Sequence, residues 1–200
     1  MEINSTLQIA IRFTVLLAPF FALSMFLCLT RSYTEKRRRH ESIKIMGTSF
    51  ILCVALIFFG ESLFSLLGVS LSAFRVGVGI ILLLDAITLV RGKIMSPPQD
   101  DSIEEIAIVP MTIPVIVGPA VIGTMIVVGT DADTLEKKLM NVIAMGIACF
   151  VIWILLYLGT TVEEYLGKRV LNILSKITGI YLAALAAQMF LQGCKAELFP

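Results

Sequence analysis

Residues 114–124 read PVIVGPAVIGT and residues 14–24 read TVLLAPFFALS, so Pro119 and Pro19 stand one hundred positions apart in two of the chain's most apolar stretches. Proline gives no N–H to a helical ladder, and its ring crowds the carbonyl four residues back, so it breaks or kinks a helix. Pro19 releases the oxygen of Val15, and Pro119 that of Val115. Pro110 and Pro114 add breaks ahead of Pro119, and Gly118 removes the side chain that would stiffen the bend. The sequence therefore predicts two half-helices around Pro119, and a matching interruption at Pro19.

The solvent around these breaks follows from composition. The 200 residues are 58% hydrophobic and 16% charged, with a mean hydropathy of +0.93. A soluble domain of this size leaves much of its surface wet and cannot hide that much apolar area. Apolar stretches of about the 20 residues needed to cross a bilayer recur at 8 to 30, 43 to 67, 71 to 91, 106 to 129, 139 to 159 and 172 to 192. These predict an all-α membrane protein of six transmembrane helices. The first stretch follows MEINSTLQ, without the basic flank of a cleaved signal, and is read as a span.

Net charge is only +1, which gives no global basic or acidic bias toward nucleic acid. The placement of charge says more. Arg31, Lys36, Arg37, Arg38, Arg39 and Lys44, then Arg91 and Lys93, then Lys168, Arg169 and Lys176 fall on one side of the predicted spans. Arg75, Lys137, Lys138 and Lys195 fall on the other. The positive-inside rule predicts a multi-pass protein of the cell (plasma or inner) membrane with both termini extracytoplasmic. Cys28, Cys53, Cys149 and Cys194 form no CxxC or Cys/His spacing, so they read as small apolar fillers.

The chain also reads as a duplication. At an offset of one hundred, Pro19 matches Pro119, Met25 Met125 and Thr30 Thr130; Gly79 matches Gly179, Ile80 Ile180 and Ala86 Ala186. At an offset of 99, Met46, Gly47, Gly60 and Gly68 match Met145, Gly146, Gly159 and Gly167. Each half holds three spans, an odd number, so the second half enters from the opposite side and the repeats are inverted. Residues 1–91 form the first repeat and 106–200 the second. The join at 92–105 holds Pro97, Pro98, Asp100, Asp101, Glu104 and Glu105, the composition of a wet cytoplasmic linker.

Interrupted helices at corresponding positions of inverted halves point to a transporter's central site. A half-helix starting after Pro119 aims its first N–H groups, at about 120 to 122, and its positive dipole end at the membrane centre. Ser24 and Thr124 are placed to add hydroxyls. Ala18, Gly118, Ala120 and Gly123 leave room for a small ligand beside Pro19 and Pro119.

The stretches APFFALSMFLCLT, FRVGVGIILLLDAITLVRG, PMTIPVIVGPAVIGTMIVV and GIYLAALAAQMFLQG resemble the four signature segments of the MarC family, whose characterised members act as small neutral amino acid transporters. The resemblance covers essentially the whole chain, and IPVIVGP is its most specific part. It implies interrupted helices 1 and 4 meeting at a central site for substrates such as glycine or alanine. The family usually reads Asn-Pro-x-Gly-x-x-Pro where this chain has Ala18, Pro19, Phe21 and Ser24. An amide, a glycine and a second proline are absent, and Phe21 is expected to narrow the cavity.

Ionisable groups within spans cost about 2.5–3.5 kcal/mol or more at the bilayer centre. At 1.5 Å per residue, Arg12 and Arg75 lie about 6 Å and Glu61 about 9 Å below the outer edge; Asp85 lies about 9 Å and Lys176 about 6 Å from the inner one. Arg12, Arg75 and Lys176 are read as snorkelling cations, with a structural ion pair to Lys176 or Arg75 as the other reading of Asp85 and Glu61. Asp85 and Glu61 are also the carboxyls suited to proton coupling, with sodium as the other candidate ion.

No enzyme is expected. The only histidine, His40, sits in the basic turn, which leaves no embedded Ser–His pair or histidine-bearing metal site, and Asp85 lacks a second buried aspartate. No phosphate-binding glycine motif appears, so ATP is not the driver. The reading is a secondary transporter of small neutral amino acids working by alternating access, without cofactor, metal or nucleic acid; a small-solute channel, or an exporter of an unrelated small metabolite, is the alternative.

Overall fold

The computed structural model describes residues 2–68, 70–92 and 107–198. Apart from Gly92, the predicted linker lies outside them, as does the side chain of Glu61. The regular structure among the described residues is all helical: α1 (Glu2–Leu16), α2 (Pro19–Leu29), α3 (Glu35–Leu67), α4 (Leu71–Arg91), a π-helical segment (Ala107–Ile116), α5 (Pro119–Asp131), α6 (Leu135–Tyr157) and α7 (Gly159–Leu198). Four helices, within α3, α4, α6 and α7, are long and apolar enough to cross a bilayer, and the α1–α2 pair, bent by 43°, makes a fifth candidate. Where the sequence predicts a further span at 106 to 129, the chain forms the π-helical segment and the 13-residue apolar α5.

Local chemistry sets these boundaries. The side chains of Thr34, Ser70 and Thr134 accept from the N–H of Arg37, Ala73 and Lys137 at 3.4, 3.2 and 3.3 Å, capping α3, α4 and α6. Pro19 and Pro119 open α2 and α5 at the position where a missing N–H costs nothing. Prolines spaced four apart, Pro110 and Pro114, fall inside the π-helical segment, where the Val117 N–H reaches back five residues to the Thr112 oxygen at 2.8 Å. Gly68, which caps α3, and its sequence match Gly167 both have positive φ, 66° and 72°. Such backbone is open to glycine at no steric cost. At Gly167 it kinks α7 where the sequence predicts a connection between two separate spans.

α4 lies along α7, α3 runs beside both α5 and α6, and α1 packs on α6. Large apolar side chains such as Ile51, Phe59, Leu84, Ile143, Phe150, Ile177 and Ile180 remain exposed on the outer faces. That apolar exterior suits hydrocarbon rather than water. The α4–α7 contact is reciprocal: a Cβ on Gly79 would stand 3.0 Å from the Ala186 oxygen and 2.9 Å from the Phe190 nitrogen, and one on Gly179 would stand 2.9 Å from the Ala86 oxygen. The backbones meet because neither glycine carries a side chain.

The basic turn is anchored as well as solvated. Arg38 donates to the Thr30 hydroxyl at 3.1 Å and to the Thr30 carbonyl at 2.9 Å, meeting the C-terminal end of α2, where a cation is favoured. Arg37 stacks over the Tyr33 ring and Arg39 over that of Tyr157.

Candidate functional site

The two helix breaks meet. A cavity of about 310 Å³ is walled by Leu16, Leu17, Ala18 and Phe21 on the first broken helix and by Val115, Ile116 and Gly118 to Val121 on the second. Leu82, Asp85, Thr88 and Leu89 of α4 and Leu182 of α7 complete it. It lies near the lower end of the ~300–1,000 Å³ typical of ligand pockets.

Each break is built differently. Residues before proline are pushed out of the helical region. Gly118 meets that demand with extended backbone at φ −76°, ψ 175°. Ala18 instead adopts the left-handed conformation at φ 45°, ψ 63°. Its N–H donates at 3.0 Å to Val15, whose oxygen Pro19 leaves without its usual partner. On the far side the ladders restart: Ala22 N–H reaches Ala18 oxygen and Ile122 N–H reaches Gly118 oxygen, both at 2.9 Å. The N–H of Ala120 and Val121 precede that first bond, so the amide set at the start of α5 is one residue shorter than the sequence reading.

Among the residues singled out in the sequence, Ala18, Gly118, Pro119, Ala120 and Asp85 come together on this wall. The others lie elsewhere. Pro19 is buried in the core without lining the cavity. Gly123 packs on α4, where a Cβ would overlap the Val78 side chain. Ser24 and Thr124 turn their hydroxyls back to Phe20 and Ala120 oxygens at 2.9 and 2.8 Å. Thr124 also lies 3.8 Å from the Met189 sulfur, and Ser24 faces a second chamber.

The intramembrane charges also resolve. Arg75, expected to snorkel, pairs with Asp131 at the C-terminal end of α5. Asp85 has no ion-pair partner within reach among the described residues; the Lys176 stem lies beside Gly92 instead, two turns further along α4. The sequence reading missed Leu82, Thr88 and Leu89. Their signal was helical spacing, since Leu82, Asp85 and Leu89 recur at i, i+3 and i+7 and so share one face of α4.

The family model of MarC family integral membrane proteins matches residues 3–198. The chain belongs to the MarC family. It is similar to a UPF0056 membrane protein of Methanocaldococcus jannaschii, 30% identical over 189 residues with 92% of each chain covered. A UPF0056 membrane protein of Aquifex aeolicus is 29% identical, covering 88% of this chain and 86% of the relative. One from Buchnera aphidicola is 28% identical, covering 90% and 87%. No solved structure matches the chain. This MarC protein is therefore a multi-pass integral membrane protein whose two broken helices close around one cavity.

Proposed function

We propose that this MarC protein is a secondary transporter of small neutral amino acids, of the glycine or alanine class, working by alternating access between two inverted three-helix repeats. The observation that carries the reading is the cavity itself, at which Ala18 and Gly118–Pro119, from matched breaks one hundred residues apart, come together. Interrupted helices at matched positions, with α5 presenting its N-terminal end, suit a carboxylate. The small, largely apolar walls suit a short aliphatic side chain.

Further matched contacts support the repeat. Thr30 and Thr130 hydroxyls donate to Phe26 and Ile126 oxygens. Gly60 abuts Ile126 of α5, and its match Gly159 abuts Leu23 and Leu27 of α2. Gly79 and Gly179 exchange the same contact across α4 and α7. On this reading the π-helical segment and α5 together make the sixth crossing, and Asp85, the ionisable group on the cavity wall, is the coupling carboxyl.

Purified protein in liposomes tests it. Saturable uptake of labelled glycine or alanine, exchangeable against unlabelled substrate, is expected, and Gly118→Leu, which fills the cavity, abolishes it. Asp85→Asn uptake no longer follows an imposed pH gradient. Ohmic, non-saturating flux would sink the transporter reading in favour of a channel.

A further inference from the structure

The central cavity has a neighbour. A second chamber of about 360 Å³ is lined by Ser24, Cys28 and Arg31 from α2 and its end, by Gly92 beyond α4, and by Glu163, Lys168, Asn172 and Ser175 of α7. It is more polar than the central cavity and it opens between charged connections. Three residues line both chambers: Phe21, Thr88 and Leu89. We propose that cargo enters the central cavity from the Arg31 end past Phe21, and that the Phe21 ring sets the largest side chain the cargo can carry.

Several observations assign this to Phe21 rather than to its two companions. Thr88 and Leu89 sit within α4, which is held against α7 by the Gly79 and Gly179 backbone contacts, and the Thr88 hydroxyl is bound back to the Leu84 oxygen at 2.9 Å. That wall is rigid. Phe21 is half-buried on the first turn of α2, two residues beyond Pro19, so its Cα is fixed by the left-handed break while its ring projects to where the chambers meet. Of the three residues shared by the chambers, Phe21 carries the largest side chain. Its sequence match, Val121, lines the central cavity with a much smaller side chain.

The opposite end explains why the Arg31 end is the entrance. Thr124 touches Met189, and Arg75 pairs with Asp131. One hundred residues earlier or later, the same four positions are Ser24, Leu89, Ser175 and Arg31, and all four line the open vestibule. Matched positions are thus in contact at one end and line a chamber at the other. Contact between matched positions at the far end and a chamber at the Arg31 end favour entry past Phe21.

The inference rests on the transporter reading for what passes, but not for the partition, and thiol reactivity tests the partition without any substrate. In a Cys28→Ser/Cys194→Ser background, a Val115→Cys reporter lies on the central wall. If the ring blocks the passage for all but about a tenth of the time, adding Phe21→Ala speeds reaction with a hydrophilic maleimide about tenfold. Phe21→Trp slows it, and serves as the opposing variant if the alanine protein melts early. Equal rates in all three proteins overturn the proposal. In liposomes, Phe21→Ala is expected to lower the preference for alanine over leucine by about tenfold or more, the discrimination that a few methylenes carry. An unchanged preference overturns the size-limit claim. Wild-type liposomes that take up no amino acid, with the thiol rates still ordered Ala, Phe, Trp, would reject the transporter reading while the partition stands.

Discussion

Ala18 is the residue at which this protein departs most from ordinary backbone. It is the one non-glycine with positive φ among the described residues, and it sits on the cavity wall. An alanine in left-handed geometry costs about 1–2 kcal/mol. The neighbouring proline disfavours the right-handed alternative, and the strain accompanies a 43° bend between α1 and α2. Asparagine tolerates this conformation better than other side chains, which gives a physical reason for the Asn-Pro that the MarC pattern usually has at this place. Ala18→Asn is therefore expected to raise the stability of the detergent-solubilised protein by about 1 kcal/mol, the lower part of that strain. Ala18→Val, branched at Cβ, is expected to lower it. Denaturant unfolding curves read both, and an Asn variant no more stable than wild type would mean that Ala18 carries no strain to relieve.

Between elements, the contact most open to test is the crossing of α4 and α7. Gly79 and Gly179 each bring their helix against the partner's backbone, where a Cβ would meet the Ala186 carbonyl and Phe190 amide in one case and the Ala86 carbonyl in the other, atoms that cannot move aside. Gly79→Ala and Gly179→Ala are each expected to destabilise by about 1–3 kcal/mol, the cost of overpacking a tight contact. Gly77, in the same helix with nothing within 4 Å of its Cβ position, is the control. There alanine is expected to be neutral or stabilising by up to about 1 kcal/mol, since glycine is the poorer helix former. Thermal melts of the three variants decide it, and equal melting temperatures would mean that the close approach does not hold the helices together.

These elements also mark what was readable beforehand. The breaks were legible because proline lacks a donor wherever it stands, and the glycine pairs because their spacing repeats. The side of a helix that faces the cavity was not. Ser24 and Thr124 follow the breaks by similar distances, yet their hydroxyls satisfy their own helices and one of them faces another chamber. Spacing places Leu82, Asp85 and Leu89 on one face of α4, but that this face turns to the cavity is set by packing, which no local pattern contains. The π-helical segment was missed for a related reason: Pro110 and Pro114 announce a disturbed helix without saying how the ladder will be rerouted.

At the scale of the whole molecule, the two ends of the cavity differ in charge as well as in closure. Arg31, Gly92 and Lys168, from three different connections, stand around the vestibule, so the open end is the end that gathers the cationic turns. The positive-inside rule then predicts that the vestibule faces the cytoplasm. Two native cysteines report on this. Cys28 is exposed in the vestibule, whereas Cys194 lies beyond Gly193, which packs against the Ser72 carbonyl near the start of α4 at the other end. A membrane-impermeant maleimide is expected to modify Cys28 in inside-out vesicles and not in right-side-out ones. Asp131→Asn removes one partner of the pair that helps shut the far end, and partly exposed ion pairs contribute only about 0.2–1 kcal/mol. If the open and closed ends exchange during transport, that is enough to slow Cys28 labelling by a few-fold at most, as a larger share of molecules open the other way. Cys28 reacting only from the extracytoplasmic side would reverse the orientation, and labelling that Asp131→Asn leaves unchanged would mean that the Arg75 pair does not hold the far end shut.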